Sequence, residues 1–187
     1  LLRWFSPTPL AFDNAVQTRT DEYLLLPGCR TTGIKIRGDY LEVKGLVADE
    51  GTFAIQDNLS GRVQRWIKWT RKNLTESESF ENASSVWQKV TKARLLRQFT
   101  WDGRFVELKS EHAEAKPDCH IELTKVSLLP SSKTWVTFGI EIFGKDVDQV
   151  KVLWSMAEHL FCHPQQTPNE LLHADSLSYP EWLTALE

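Results

Sequence analysis

Apolar and polar residues alternate with a period of two in short segments bounded by turn residues, and this pattern predicts a β-rich chain. The clearest element runs from Thr32 to Leu46. Gly38-Asp39 separates Gly33-Ile34-Lys35-Ile36-Arg37 from Tyr40-Leu41-Glu42-Val43-Lys44, and a glycine that tolerates positive φ suits a two-residue hairpin turn. Pairing outward from that turn sets Ile36 against Leu41 and Ile34 against Val43 on one face. Lys35 then opposes Glu42 on the other face, flanked by Arg37, Tyr40 and Lys44. A second two-residue turn is predicted at Asp102-Gly103, joining Lys92–Trp101 to Arg104–Ser110. It would place Ala93, Leu95, Phe99 and Trp101 on a face with Val106 and Leu108, interrupted by Arg97. Lys92, Arg94, Gln98, Glu107 and Lys109 collect on the opposite face.

Three more strands follow from the same alternation. Arg62–Trp69 has no clean face; His120–Val126 separates Ile121 and Leu123 from His120, Glu122 and Thr124; Trp135–Phe143 separates Val136, Phe138, Ile140 and Ile142 from Thr137, Gly139 and Glu141. Leu1–Phe5 and Tyr23–Leu26 are expected as edge strands. The period changes after Asp146, where Val150, Leu153, Trp154, Ala157, Leu160 and Phe161 recur at helical spacing, with Asp146 as cap and Pro164 as stop. Ser85-Val86-Trp87-Gln88 reads as a capping box for a short helix, and Pro180-Glu181-Trp182-Leu183 as a final helical turn. The polar stretch Thr70–Ser85, with Glu76, Glu78 and Glu81, reads as a loop.

Size and composition narrow the classes. The chain has 187 residues, 41% hydrophobic and 25% charged, which suits one globular domain over 1–187 with a helical appendage from about residue 146. No apolar run approaches the roughly 20 residues of a membrane-spanning helix. A net charge of −3 supplies no bulk attraction to nucleic acid, so none is expected as a partner and any basic site must be local. Cys29, Cys119 and Cys162 form no CxxC pair, and the sequence shows no basic-then-apolar leader pattern, so a reducing, cytoplasmic setting is expected. Under that expectation the glycosylation-like triplets at Asn58, Asn73 and Asn82 are chance matches.

The charged strand faces carry the candidate chemistry. For any one strand, a wet sheet surface explains charges of both signs. Taken together, Lys35, Arg37, Lys44, Lys68, Lys92 and Arg94 would converge with Glu42, Glu122 and Glu141 if the sheet closed into an antiparallel β-barrel, an α+β fold, with its polar face inward. The helix after Asp146 would then cover part of the aliphatic outer face. An interior rich in lysine and arginine would attract a multiply charged anion, with phosphate the natural candidate. Inward carboxylates would be placed to hold magnesium.

These same segments resemble the CYTH-type triphosphate tunnel proteins. Gly33-Ile34-Lys35-Ile36-Arg37 with Leu41-Glu42-Val43-Lys44 resembles that family's paired basic strands. Thr91-Lys92-Ala93-Arg94 is similar to its lysine-x-arginine strand, and Val136–Ile142 to its late glutamate strand, over residues 20 to 160 in all. The resemblance implies an eight-stranded tunnel that binds triphosphates, often with Mg2+ or Mn2+. On that reading Lys35, Arg37, Glu42, Lys44, Lys68, Lys92 and Arg94 bind the ligand and Glu122 and Glu141 hold metal. The family's opening Glu-x-Glu-x-Lys strand has no counterpart in Leu1-Leu2-Arg3-Trp4-Phe5, and its acidic strand matches either Glu107-Leu108-Lys109 or Glu122-Leu123-Thr124.

Other constellations read as structural. His159 and His163, four apart near a helix end with Glu158 and Cys162, suit the helix dipole better than a metal, and His120 beside Glu122 reads likewise. Most tryptophans read as core, whereas Trp66 alternates in phase with Gln64 and Lys68 and belongs with the polar face. Three classes remain: a metal-dependent triphosphate hydrolase, a non-catalytic receptor for an anionic small molecule, and a protein-interaction module whose charged face is wet.

Overall fold

The computed structural model describes residues 15–56, 59–72, 86–108, 116, 118–131, 133–144, 148–161 and 171–186. Eight strands form one antiparallel sheet: β1 (Gln17–Leu24), β2 (Thr32–Arg37), β3 (Tyr40–Gln56), β4 (Leu59–Lys72), β5 (Trp87–Trp101), β6 (Phe105–Glu107), β7 (Cys119–Leu129) and β8 (Thr134–Ile142). Their spatial order is β4-β3-β2-β1-β5-β7-β8, with β6 paired to β5. Two helices complete the fold, α1 (Gln149–Phe161) and α2 (Tyr179–Thr184).

The first hairpin has the predicted register, Ile34 opposite Val43 and Lys35 opposite Glu42. Gly38 sits at φ +58° in its turn, a region a glycine enters without steric cost. The second hairpin is corrected by one residue. Its loop holds three residues, with Gly103 at φ +95°, and Trp101 pairs with Phe105 and Phe99 with Glu107. Phe105 therefore joins the aliphatic face, where it meets Phe99 and Trp101, and Val106 faces solvent. Glu107 moves to that same face and takes Arg97 in a two-point ion pair at 2.7 and 2.8 Å. The arginine that interrupted the predicted apolar face is thus neutralised on it.

Tyr23–Leu26 is not an edge. Its first two residues end β1, an interior strand between β2 and β5. The short helix expected at Ser85–Gln88 is replaced by strand from Trp87, which pairs with Leu24, while Gln88 pairs with Tyr23. Thr70–Lys72 belong to β4, and the rest of the predicted loop, Leu1–Phe5, Lys109, Asp146, Cys162, His163, Pro164 and the three triplet asparagines lie outside the described residues. Asp148 caps α1, its side chain accepting from the Lys151 N–H at 3.2 Å.

The sheet is strongly curled. Lys44 of β3 and Glu141 of β8 lie 3.4 Å apart, although β2, β1, β5 and β7 stand between their strands. On a flat sheet, five spacings of about 4.8 Å would hold them about 24 Å apart. Register shifts in the β3–β4 ladder at Leu46/Ala48, Asp49/Gly51 and Ala54/Gln56 supply local bend and twist. Closure stops short of a barrel: among the described residues no ladder joins β4 to β8. The β4 edge is occupied at its start, where the Ser60 N–H donates to the Leu171 carbonyl and the Arg62 N–H to the Ser176 hydroxyl.

The two helices take opposite faces. Met156, Ala157, Leu160 and Phe161 of α1 pack with Phe99, Cys119, Ile121 and Leu123 on the aliphatic, convex side. The helix α2 instead enters the concave side, where Leu183 packs with Tyr23, Val90, Val126 and Leu128. Ser178 and Glu181 form its reciprocal capping box, a Ser-x-x-Glu signal present in the sequence. No helix among the described residues is long and apolar enough to cross a membrane.

Candidate functional site: the concave charged face

Strand alternation places one side chain in two on the concave face. The registers align Arg19, Asp21 and Tyr23 of β1 with Lys35 and Arg37 of β2, and Glu42 and Lys44 of β3 with Lys68 of β4. Across the curl come Lys92 and Arg94 of β5, His120, Glu122 and Thr124 of β7, and Glu141 of β8. All nine residues expected at the site from the sequence thus share one surface. Arg19, Asp21 and Tyr23, which are not among those nine, join them. Their signal was available as the alternation Arg19-Thr20-Asp21-Glu22-Tyr23, which strand periodicity turns toward one face.

The deep part is a compact charge cluster. Asp21 is fully buried, with Lys35 Nζ at 3.0 Å, Lys92 Nζ at 3.4 Å and Arg19 Nε at 3.6 Å from its carboxylate. Burial by itself would raise the Asp21 pKa; Lys35, Lys92 and Arg19 more than reverse this and hold it below the ordinary value. Glu42 behaves alike, burial being outweighed by Lys35 at 3.1 Å and by Arg37. Lys92 is 2% exposed and its pKa is lowered to about 7: burial is the main cause, Asp21 opposes it, and Lys35 and Arg19 reinforce it. Its Nζ lies 3.5 Å from the centroid of the Tyr179 ring of α2 and donates to the Tyr23 hydroxyl at 2.7 Å. Tyr179 stacks on Tyr23 at 5.4 Å. The inner end of the trough is therefore stoppered by α2.

The outer part is open. Lys44 and Glu141 are each about half exposed, and Lys68 is exposed, yet close enough to pull down the carboxyls of Glu42 and Glu141. Burial tends to raise Glu141, and Lys44, His120 and Lys68 together override it. Arg94 reaches Glu122 at 3.2 Å and the Gln17 amide oxygen at 2.5 Å. Thr124 donates to Glu122 at 2.7 Å. Gly139, opposite Glu122, leaves open space where a Cβ would point. Trp66 lies in phase with Lys68, donates to Gln64 at 3.2 Å, and belongs to neither apolar core.

No family model, curated protein or solved structure matches this chain.

Of the two acidic segments, Glu122 is on the concave face, and Glu107 is on the convex face with Arg97. Both carboxylates expected to hold metal are already engaged, Glu122 by Arg94 and Thr124 and Glu141 by Lys44. Among the described residues no three His, Cys, Asp or Glu side chains are gathered as a metal would need. That donor set does not fit a divalent cation held by protein alone. His120 pairs in register with Glu141, contacts the Gln98 amide at 2.9 Å and stands edge-on to Phe143 at 4.7 Å. Burial lowers its pKa against the opposing pull of Glu141. His159, on α1, faces Phe105 on the convex side at 6.1 Å, apart from this site.

Proposed function

We propose that the curled sheet is a tunnel-like receptor, a barrel left open at one seam, that binds a phosphorylated small molecule, a triphosphate by the resemblance to CYTH-type proteins. The observation carrying this reading is the charge on one face. Arg19, Lys35, Arg37, Lys44, Lys68, Lys92 and Arg94 outnumber Asp21, Glu42, Glu122 and Glu141 there, in a chain whose net charge is −3. Gathering like charges on a concave surface is costly unless an anion shares it, and a low-dielectric cleft focuses the resulting field.

The residues divide by role. Lys35, Lys92 and Arg19 are held by Asp21 and set the positive potential at depth. Arg37, Lys44, Lys68 and Arg94, nearer the opening, make the direct contacts to phosphate oxygens, arginine in two-point geometry and lysine as a point charge. Fixed cations of this kind would also stabilise charge that builds during phosphoryl transfer. Hydrolysis is therefore the alternative use of the same surface.

A thermal-shift titration with sodium tripolyphosphate tests this, because a ligand of the native state raises Tm in proportion to the logarithm of its excess over Kd. A concentration-dependent rise supports a receptor, and added phosphate release with Mg2+ supports a hydrolase. No rise at millimolar ligand, with or without Mg2+, would overturn both and leave the charged face to protein contacts.

A further inference from the structure

We propose that anion binding in the trough is coupled to proton uptake by Lys92, so that the protein holds its ligand more tightly as pH falls. This inference rests on the anion-receptor reading and adds its regulation. The geometry makes Lys92 the surplus cation of the site. Asp21 is shared by Arg19, Lys35 and Lys92, and of these Lys35 also has Glu42 at 3.1 Å. The charged and titratable groups facing the amine are Arg19, Asp21 and Tyr23 from β1, Lys35 from β2, Glu122 from β7 and Tyr179 from α2, while Arg94, two positions on in β5, is held by Glu122 at 3.2 Å. Asp21, the carboxylate in ion-pair contact with the amine, serves three cations.

The Tyr23 hydroxyl gives the amine a partner in both protonation states. A protonated Lys92 donates to Tyr23 Oη at 2.7 Å and pairs with Asp21 at 3.4 Å. A neutral Lys92 presents a lone pair to which the same hydroxyl can donate in exchange for its long 3.5 Å bond to Asp21. The amine keeps a partner in either state, so the local charge decides between them. The amine's value of about 7 agrees with that poise. An anion entering the trough adds the missing negative charge and favours the protonated amine. By reciprocity, the protonated amine favours the anion.

The test uses trimetaphosphate, which has no titrating proton between about pH 6 and 9, so any linkage belongs to the protein. Calorimetric titrations at pH 6.0 and 8.5 should show affinity falling about tenfold. Near pH 7.5, titrations in buffers of different ionisation enthalpy should show net proton uptake. Lys92→Arg, which stays charged, should bind with no such pH dependence. The 13Cε resonance of Lys92 in the wild-type protein supplies a readout independent of that variant's folding, and its titration should move to higher pH when ligand is added. A flat wild-type profile without proton uptake overturns the coupling, as does an unmoved Lys92 resonance. A slope that persists in folded Lys92→Arg assigns the linkage elsewhere, with His120 first in line, and also overturns it. No binding of either trimetaphosphate or tripolyphosphate at any pH removes the receptor reading itself.

Discussion

Arg62 Nη1 donates to Glu181 Oε1 at 2.6 Å, and this ion pair ties the edge strand β4 to the helix that stoppers the trough. Glu181 also receives the Ser178 N–H at 2.9 Å, so one carboxylate serves both the helix cap and the tether. Burial would raise its pKa, but Ser178 and Arg62 hold it below 4.5. Ser178→Ala should cost about 1 kcal/mol, or about 2–4 °C in Tm for a chain of this size. The depressed Glu181 contributes stability at pH values above the unfolded carboxyl range, and that contribution is lost as pH falls through the folded value. A melting series from pH 7 to 3 should show this loss in the wild type and a reduced loss in Glu181→Gln.

Asp21 is the keystone of the deep cluster. Asp21→Asn keeps its shape but leaves Lys35, Lys92 and Arg19 without their shared countercharge in a buried setting. Breaking a buried ionic set from one side costs about 3–5 kcal/mol. Urea unfolding at pH 7 should report a loss of that order. An unchanged midpoint would mean that the cluster is far wetter than its geometry implies.

Lys92 gives stability a pH dependence set by its own depressed value. Its folded pKa of about 7 lies below the unfolded value of 10.5, so between these pH values the unfolded chain binds more protons. Stability should therefore rise as pH increases from about 7 toward 10. Lys92→Met should remove that rise. Urea midpoints at pH 7.0 and 9.5 for the two proteins measure it directly.

Gly139 marks free volume on the concave face, between Thr137 and Glu141, and a Cβ added there would have no other atom within 4 Å. Gly139→Ala should therefore leave Tm nearly unchanged. Gly139→Phe would project a ring into the trough; it should abolish the tripolyphosphate-induced rise in Tm while the protein itself still melts cooperatively.

Much of this architecture was legible because local rules and the tertiary fold agree. The Gly38-Asp39 turn fixes its hairpin, and the period-two alternation of Lys35, Arg37, Glu42, Lys44, Lys92 and Arg94 assigns them to one face. Other features depend on contacts that no local pattern encodes. Asp102-Gly103 suits a two-residue turn, and only the packing of Phe105 on Phe99 and the Arg97–Glu107 pair selects the longer loop. Asp21 sits in a polar run that reads as solvent-facing until β1 is placed between β2 and β5. The approach of Lys44 to Glu141 arises from sheet curl accumulated over several strands, and the β4 edge at Ser60 and Arg62 is occupied by a segment distant in the chain.

The central claim is that cations from separate strands act together on one bound anion. Calorimetric titration of sodium tripolyphosphate into the wild type and into Lys44→Glu/Lys68→Glu tests it most directly. Lys44 is about half exposed, Lys68 is exposed and both lie outside the Asp21 cluster, so the double variant should keep the wild-type circular dichroism spectrum. The account predicts saturable binding by the wild type that weakens with added salt, and at least a tenfold loss of affinity in the variant. Equal affinity in the two folded proteins would contradict it.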